Sequence, residues 1–427
     1  MKISKKFSND LKIFFLFLIF LSYFIGFFLR ENIAGGAEND FLDFTWPAIL
    51  AFKDSFYSTL LNYGKFGEGS LPLFHIINAY LNPFTQNQYL FQTSITLLSL
   101  LNLVFFYKII KKKYNLKKLD GLLFSSIFLI LPFFRSSAFW GLTENLGWLF
   151  LLISIKHSID YEEEKKRKNV FKILLVCIFS SLALYTRPYL IFFPLFLIVN
   201  NFVKKDFYFL KNACIFYFLL SLPGLLLLYI WGGYFKVGTE QTISLIDFHN
   251  PKFIFKNLII FSSIFLFYFL PLEIIKIFKK YELNRIFSIK YFLIIFIFLN
   301  IINYYNIVDY LKIIELGGGA FLKINKFFFN KNLFFFLLLS SLGAALIINY
   351  FIISIKNKIL IFSLLIFCFP KYILQEYFEP LILIVMFCLL DSHNNLKKII
   401  REDKTVFIFV GYFILYLFSS YIYRYKV

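Results

Sequence analysis

The sequence predicts an all-α protein, a polytopic transmembrane helix bundle with a polar first loop. Three observations predict it. Of 427 residues, 59% are hydrophobic and only 16% are charged, and a soluble globule of this length needs more charge to cover its surface. Apolar runs of about 20 residues recur to the end of the chain, the length that spans a bilayer as a helix. They are continuous rather than alternating, which selects helices over a closed barrel. Basic residues cluster between alternate runs, as the positive-inside rule requires.

The elements follow in order. Lys2, Lys5 and Lys6 precede a run from Ile13 to Leu29. That run exceeds a signal-peptide core of about 7–15 residues, so it is expected to stay as the first span. About thirteen spans are expected, centred near residues 20, 98, 127, 147, 178, 195, 222, 266, 298, 343, 364, 385 and 413, or eleven or twelve if a short one is re-entrant. Loops on one side carry Lys108, Lys111–Lys113, Lys117 and Lys118, then Lys165–Lys168, then Lys204 and Lys205. Lys279, Lys280, Arg285, Lys356, Lys358, Lys397, Lys398 and Arg401 continue the series. This side holds roughly two thirds of the basic residues and reads as cytoplasmic together with the N-terminus. Residues 31–88 then form a first outer loop, with further outer loops at 232–256 and 304–332. The whole chain, 1–427, reads as one membrane domain without internal repeats.

The net charge of +20 follows the loop alternation rather than a single patch, which argues against nucleic acid as a partner. Cys177, Cys214, Cys368 and Cys388 all fall in apolar runs without metal-ligand spacing, so buried thiols are expected. No His-Glu-x-x-His, Gly-x-Ser-x-Gly or phosphate-binding Gly-x-x-x-x-Gly-Lys motif occurs.

The first loop carries the chemistry. Glu38, Asp40 and Asp43 lie just past the first span, where anionic headgroups repel carboxylates. Three within six positions suggest a site rather than a solvated loop. In an extended segment Glu38 and Asp40 point apart. Phe41 is expected to shield Asp40 and raise its pKa toward the working range of a general base. Asp43 is a plausible cap for a helix beginning near Thr45, with Pro47 in its first turn and Gly64 past its end. A second short helix is expected from Pro72 to Leu81, with Leu73, Ile76, Ile77 and Tyr80 on its apolar side. His75 lies in it and faces the same compartment.

Isolated cations punctuate the outer hairpins. Arg135, Arg187 and Lys371 suit phosphate contacts at the interface; headgroup anchoring is the plainer role of each. Glu144 is expected inside the fourth span, where a carboxylate is a functional candidate by default. It pairs with Arg187 or Arg135, or lines a polar cavity.

Several pieces resemble the GT-C superfamily of polytopic glycosyltransferases. They are the acidic cluster Glu38-Asn-Asp40-Phe-Leu-Asp43, then Trp46-Pro-Ala and an amphipathic helix, then Ser70-Leu-Pro-Leu-Phe-His75, and Thr186-Arg-Pro-Tyr-Leu-Ile-Phe-Phe-Pro194. The match covers about the first half of the chain. The family often has adjacent Asp-Glu in this loop, whereas here the acids are spaced. The resemblance implies a multi-pass enzyme of the bacterial inner membrane with a periplasmic first loop. It would move a sugar from a polyprenyl-phosphate donor to a glycan, lipid or protein acceptor. Asp40, then Glu38, then Asp43 would be the catalytic base. Arg187, Arg135, Lys371, Glu144 and His75 would bind substrate, and a divalent cation, Mg²⁺ or Mn²⁺, is left open. A polymerase or ligase of lipid-linked polysaccharide, and a transporter or flippase of lipid-linked oligosaccharide, are the rival classes.

Overall fold

A computed structural model describes residues 5–66, 70–231, 251–278, 289–304, 318–329, 332–368, 373–391 and 395–426. Lys371 and most of the loops at 232–256 and 304–332 lie outside the described residues. The contacts gather into two compact units, Met1–Ile243 with Val410–Val427, and Ser244–Phe409. Among the described residues every regular element is a helix.

The first unit opens with α1 (Lys5–Phe28). The acidic stretch follows as α2 (Ala37–Asn39), a π-helical turn (Asp40–Thr45) and α3 (Trp46–Asp54), then α4 (Phe56–Leu61) and α5 (Leu73–Leu81). After it come α6 (Gln88–Tyr114), α7 (Lys118–Ser126), α8 (Pro132–Phe139), α9 (Glu144–Glu163), α10 (Val170–Thr186), α11 (Phe192–Val203) and α12 (Phe207–Ile230). The second unit holds α13 (Pro251–Phe278), α14 (Ile289–Tyr304), α15 (Gly319–Phe329), α16 (Phe334–Ile353), α17 (Ile355–Leu364), α18 (Leu381–Ile384) and α19 (Asn395–Ile400). The last helix, α20 (Asp403–Lys426), belongs to the first unit from Val410 onward.

Among the described residues, six helices are long and apolar enough to cross a bilayer: Phe7–Phe28, Gln88–Tyr114, Phe207–Ile230, Ile254–Phe278, Phe334–Ile353 and Lys404–Tyr425. A seventh arises if Lys118–Ile130 and Pro132–Phe139, bent by 70° at their break, form one span. Of the other expected spans, those near 178, 195 and 298 are shorter apolar helices, Val170–Thr186, Pro188–Val203 and Lys290–Ile301. An apolar run reports burial, not helix continuity. Pro132 and Pro188 break two runs, because the residue before a proline is pushed out of the helical region. Near residues 364 and 385 the apolar chain folds into short 3₁₀ and π turns inside the second unit.

α6 shows how such a bundle is held. Gln92, Thr96, Ser99 and Asn102 are buried along one stripe, while Leu97, Leu101 and Val104 are exposed. This reverses the pattern of a soluble helix. Lipid is as apolar as leucine, so helix association depends on close packing and polar contacts. Tyr23 Oη and Ser99 Oγ of α1 and α6 share a hydrogen bond of 2.6 Å. Thr96 Oγ1 donates to Ala138 O at 3.0 Å, and Asn102 Nδ2 to Asn145 O at 3.1 Å. In the second unit, Gly343 lets α16 approach α13 so closely that a Cβ would strike the Ser262 carbonyl.

α5 forms where expected, and its expected apolar side is the less buried one. Phe74, His75, Asn78 and Ala79 are buried, while Leu73, Ile76 and Ile77 are only half-buried and Tyr80 is exposed. The polar residues go inward, the same reversal as in α6. Cys214 is a correction of the same kind: it is exposed on α12, whereas Cys177, Cys368 and Cys388 are buried.

Candidate functional site

The end of α1 sets the geometry. Arg30 takes a left-handed backbone, φ 52°. Its N–H donates to Phe27 O at 3.0 Å, and the Glu31 N–H donates to Gly26 O at 2.9 Å. This is the Schellman closure of a helix end, in which glycine is the usual residue at Arg30's position. The turn sends Glu31 back into the bundle and leaves Arg30 exposed.

Glu31 meets Arg135 there, and both side chains are buried. Arg135 Nε donates to Glu31 Oε1 at 2.7 Å, and Nη2 donates to Oε2. Nη1 donates to Leu129 O and Nη2 to Ser22 O, both at 2.9 Å. The Tyr421 hydroxyl donates to Glu31 Oε2, and Trp140 Nε1 donates to the Glu31 carbonyl at 3.1 Å. Gly26 has no side chain because a Cβ would strike both charged groups. Arg135 was expected on an outer hairpin, available to phosphate. It sits instead on buried α8 with its guanidinium occupied, so it is a structural staple.

The second expected cation pairs as well. Arg187, in the turn after α10, forms an ion pair with Glu144. Glu144 is the first residue of α9, not an interior one, because the helix begins only after Thr143. Gly147 of α9 packs against the turn that holds Arg187: a Cβ there would lie 3.2 Å from Leu190 Cδ1. This pair is incompletely satisfied. Arg187 Nε, Glu144 Oε2, Thr143 Oγ1, Trp148 Nε1 and Asn145 Oδ1 are buried without hydrogen-bond partners. Native structures hold few such atoms per hundred residues, and here five gather around one helix start. α8 lies between the two clusters. Ala34 N–H of the acidic stretch donates to Ser136 Oγ at 3.2 Å, and Asn145 Nδ2 donates to Ser137 Oγ at 2.8 Å.

Asp40 and Asp43 are exposed and Glu38 is half-buried. The stretch is helical, not extended, so the expected alternation of Glu38 and Asp40 does not arise. Phe41 is fully buried and stacks on Phe91, with ring centroids 6.0 Å apart and planes at 11°. Neither Asp43 nor Thr45 caps a helix; the chain is already helical from Ala37. The π turn lies directly ahead of Pro47, and the Trp46 N–H reaches Phe41 O. A proline lacks an N–H, and widening the preceding turn accommodates it. Single π turns frequently mark functional sites.

His75 is fully buried on α5, its Nδ1 2.9 Å from the Tyr63 hydroxyl. Tyr63 stacks on Trp231, which donates from Nε1 to Leu60 O at 2.7 Å. His75 thus braces the first loop instead of facing the outer compartment. Among the described residues no three His, Cys, Asp or Glu side chains come together as metal ligands.

Two residues join the site that the sequence did not single out. Arg424, exposed near the end of α20, lies over the loop before α2; a Cβ on Gly35 would be 3.6 Å from its Nη1. Arg30 lines a small pocket with Phe27, Tyr89, Gln92, Phe139 and Trp140. Neither arginine has an ion-pair partner among the described residues. Arg30 was legible as the first charge after the first span. Arg424 was not, because nearly 400 residues separate it from Gly35 in the chain.

These helices are compatible with a multi-pass membrane protein. No family model, curated protein or solved structure matches the chain.

Proposed function

We propose that the protein is a membrane glycosyltransferase of the GT-C kind. It moves a sugar from a polyprenyl-phosphate donor to an envelope glycan, lipid or protein at the outer face of a bacterial inner membrane. One observation carries the reading: exposed carboxylates, and guanidinium groups with no ion-pair partner among the described residues, share one end of three span-length helices. Glu38, Asp40 and Asp43 follow α1, whose end packs on the start of α6 through Phe27 and Tyr89, with centroids 5.7 Å apart. Arg424 at the end of α20 joins them. The alternation of basic loops in the sequence supports an outer position for this end.

A lipid-phosphate donor has its phosphate at that depth and its tail in the bilayer. A carboxylate, Asp40 first, takes the proton from the acceptor hydroxyl. The acceptor oxygen forms the new bond to the anomeric carbon. The old carbon–oxygen bond breaks, and its electron pair leaves on the phosphate, where cations stabilise it.

A second reading, transport of a lipid-linked oligosaccharide, draws on the second unit. There Glu379 is fully buried and accepts from the Tyr268 hydroxyl at 2.6 Å, and buried Glu273 pairs with Lys276 at 2.6 Å. Glu273 lies on a helix of membrane length, where an ionisable group is a functional candidate by default. Purified protein given radiolabelled polyprenyl-phosphate sugars separates the two. Transfer to acceptor, lost in Asp40→Asn, supports the enzyme; lipid movement across vesicles without transfer supports the transporter.

A further inference from the structure

We infer that the C-terminal half of α12 is a hinged strap that clamps the first loop and swings off it. The hinge lies at Pro223 and Gly224. Proline lacks the N–H that would bond the carbonyl of Leu219. In a regular helix the next rung joins the Gly224 N–H to the Leu220 carbonyl. Here the Tyr185 hydroxyl, from the end of α10, bridges those two groups. The Gly224 N–H donates to it at 3.0 Å, and it donates to Leu220 O at 2.7 Å. A Cβ on Gly224 would lie 3.0 Å from that hydroxyl oxygen, so the glycine lets the tyrosine in. Helices bend at a proline and where a side chain enters the ladder. Both features fall on adjacent rungs of α12.

The far end of the strap holds the loop. Trp231, which follows α12, is 2% exposed. Its indole stacks on Tyr63 with planes at 4°, and its Nε1 donates to Leu60 O at 2.7 Å. Leu60 lies in the last turn of α4, where carbonyls have no partner inside the helix, so the strap completes that helix end. Tyr63 carries the contact on to His75 of α5. Between hinge and tip the strap is lightly held. Of Gly224–Ile230, only Gly224 and Leu227 are buried, whereas Leu225, Leu226 and Tyr229 are exposed. A segment with few buried contacts opens at low free-energy cost. With a break at one end and an aromatic anchor at the other, it moves as a unit about the break. Release frees the Trp231 anchor and uncovers Tyr63 and the end of α4.

The strap stands whichever function the protein has, and backbone hydrogen exchange tests it. Mass spectrometry reads exchange in the purified full-length protein in detergent micelles. In the wild type, amides of 225–231 are expected to exchange roughly tenfold faster than those of 210–219. Pro223→Ala restores the missing rung and is expected to slow 225–231 by roughly fivefold, the change that one hydrogen bond gives. Tyr185→Phe removes the bridge and is expected to speed 224–231. Trp231→Phe keeps an aromatic ring, loses the donor to Leu60, and is expected to speed 60–66 by about fivefold. Even exchange along wild-type α12 overturns the proposal. Simple fraying of a helix end would leave 225–231 fast in Pro223→Ala and 60–66 unmoved in Trp231→Phe, and that result overturns it too. Should Pro223→Ala fail to fold, the wild-type profile and Trp231→Phe decide.

Discussion

Two Arg–Glu pairs flank α8, and they differ in completeness. Arg135 and Glu31 are enclosed, and the backbone carbonyls of Ser22 and Leu129 and the Tyr421 hydroxyl fill their remaining valences. Arg187 and Glu144 hold each other but leave Nε and Oε2 unpartnered, beside Thr143, Asn145 and Trp148. Burying a charge is tolerable only when its other hydrogen-bonding capacity is met. The first pair meets that condition with protein alone and fixes the end of α1. The second meets it only in part with protein groups among the described residues.

The largest effect tests the first pair. Arg135→Ala strands a buried carboxylate and is expected to destabilise the protein by about 3–5 kcal/mol. The double change Arg135→Met with Glu31→Leu should recover most of that loss, since apolar replacement of a buried pair is often neutral. Thermal unfolding in detergent reads both. An unchanged midpoint for Arg135→Ala would remove the staple from this account.

Next is catalysis at the acidic stretch. Asp40→Asn is expected to lower turnover by roughly 10²–10⁴ if it is the base, with the unfolding midpoint unchanged because the side chain is exposed. Glu38→Gln and Asp43→Asn should do less. An inactive Glu38→Gln beside an active Asp40→Asn would move the base but keep the site. Full activity in all three would end the glycosyltransferase reading.

The incomplete pair should respond in a smaller and graded way. Arg187→Ala leaves Glu144 buried without its cation, and Arg187→Lys restores the charge but not the fork. Stability is expected to fall by about 1–3 kcal/mol in the first case and to recover partly in the second. If the cluster receives substrate, both variants raise KM more than they lower kcat. A pure stability effect with unchanged KM would mark this pair as structural, like its neighbour. Smallest of all, Tyr421→Phe removes one hydrogen bond to Glu31 and should lower stability by about 1–2 kcal/mol. An effect as large as that of Arg135→Ala would show that the last helix, not Arg135, holds the turn.

Some of this was legible without coordinates. The all-helical class followed from apolar runs that do not alternate, and the short helix at Leu73–Leu81 appeared within a residue of expectation. The Glu144–Arg187 pairing was one of the alternatives that a carboxylate in an apolar run forces. Facing was not legible. Leu73, Ile76, Ile77 and Tyr80 form the apolar side of α5, and the protein buries Phe74, His75, Asn78 and Ala79 on the other. Hydrophobic periodicity identifies an amphipathic helix, but in a bilayer it does not say which face meets protein.

The sequence by itself determined that this chain lives largely in apolar surroundings, that its backbone must be helical there, and where its acids and cations fall along the chain. Those are local consequences of composition and run length, because lipid leaves no other way to satisfy backbone N–H and C=O groups. Only the tertiary structure decided which charges are already neutralised. Glu31 and Arg135 are 104 residues apart, and Tyr421 is 390 residues from Glu31. Ion pairing depends on distance in space, which the bundle sets. It withdrew Arg135 from the candidate site and left Arg30 and Arg424 exposed beside the acidic turn.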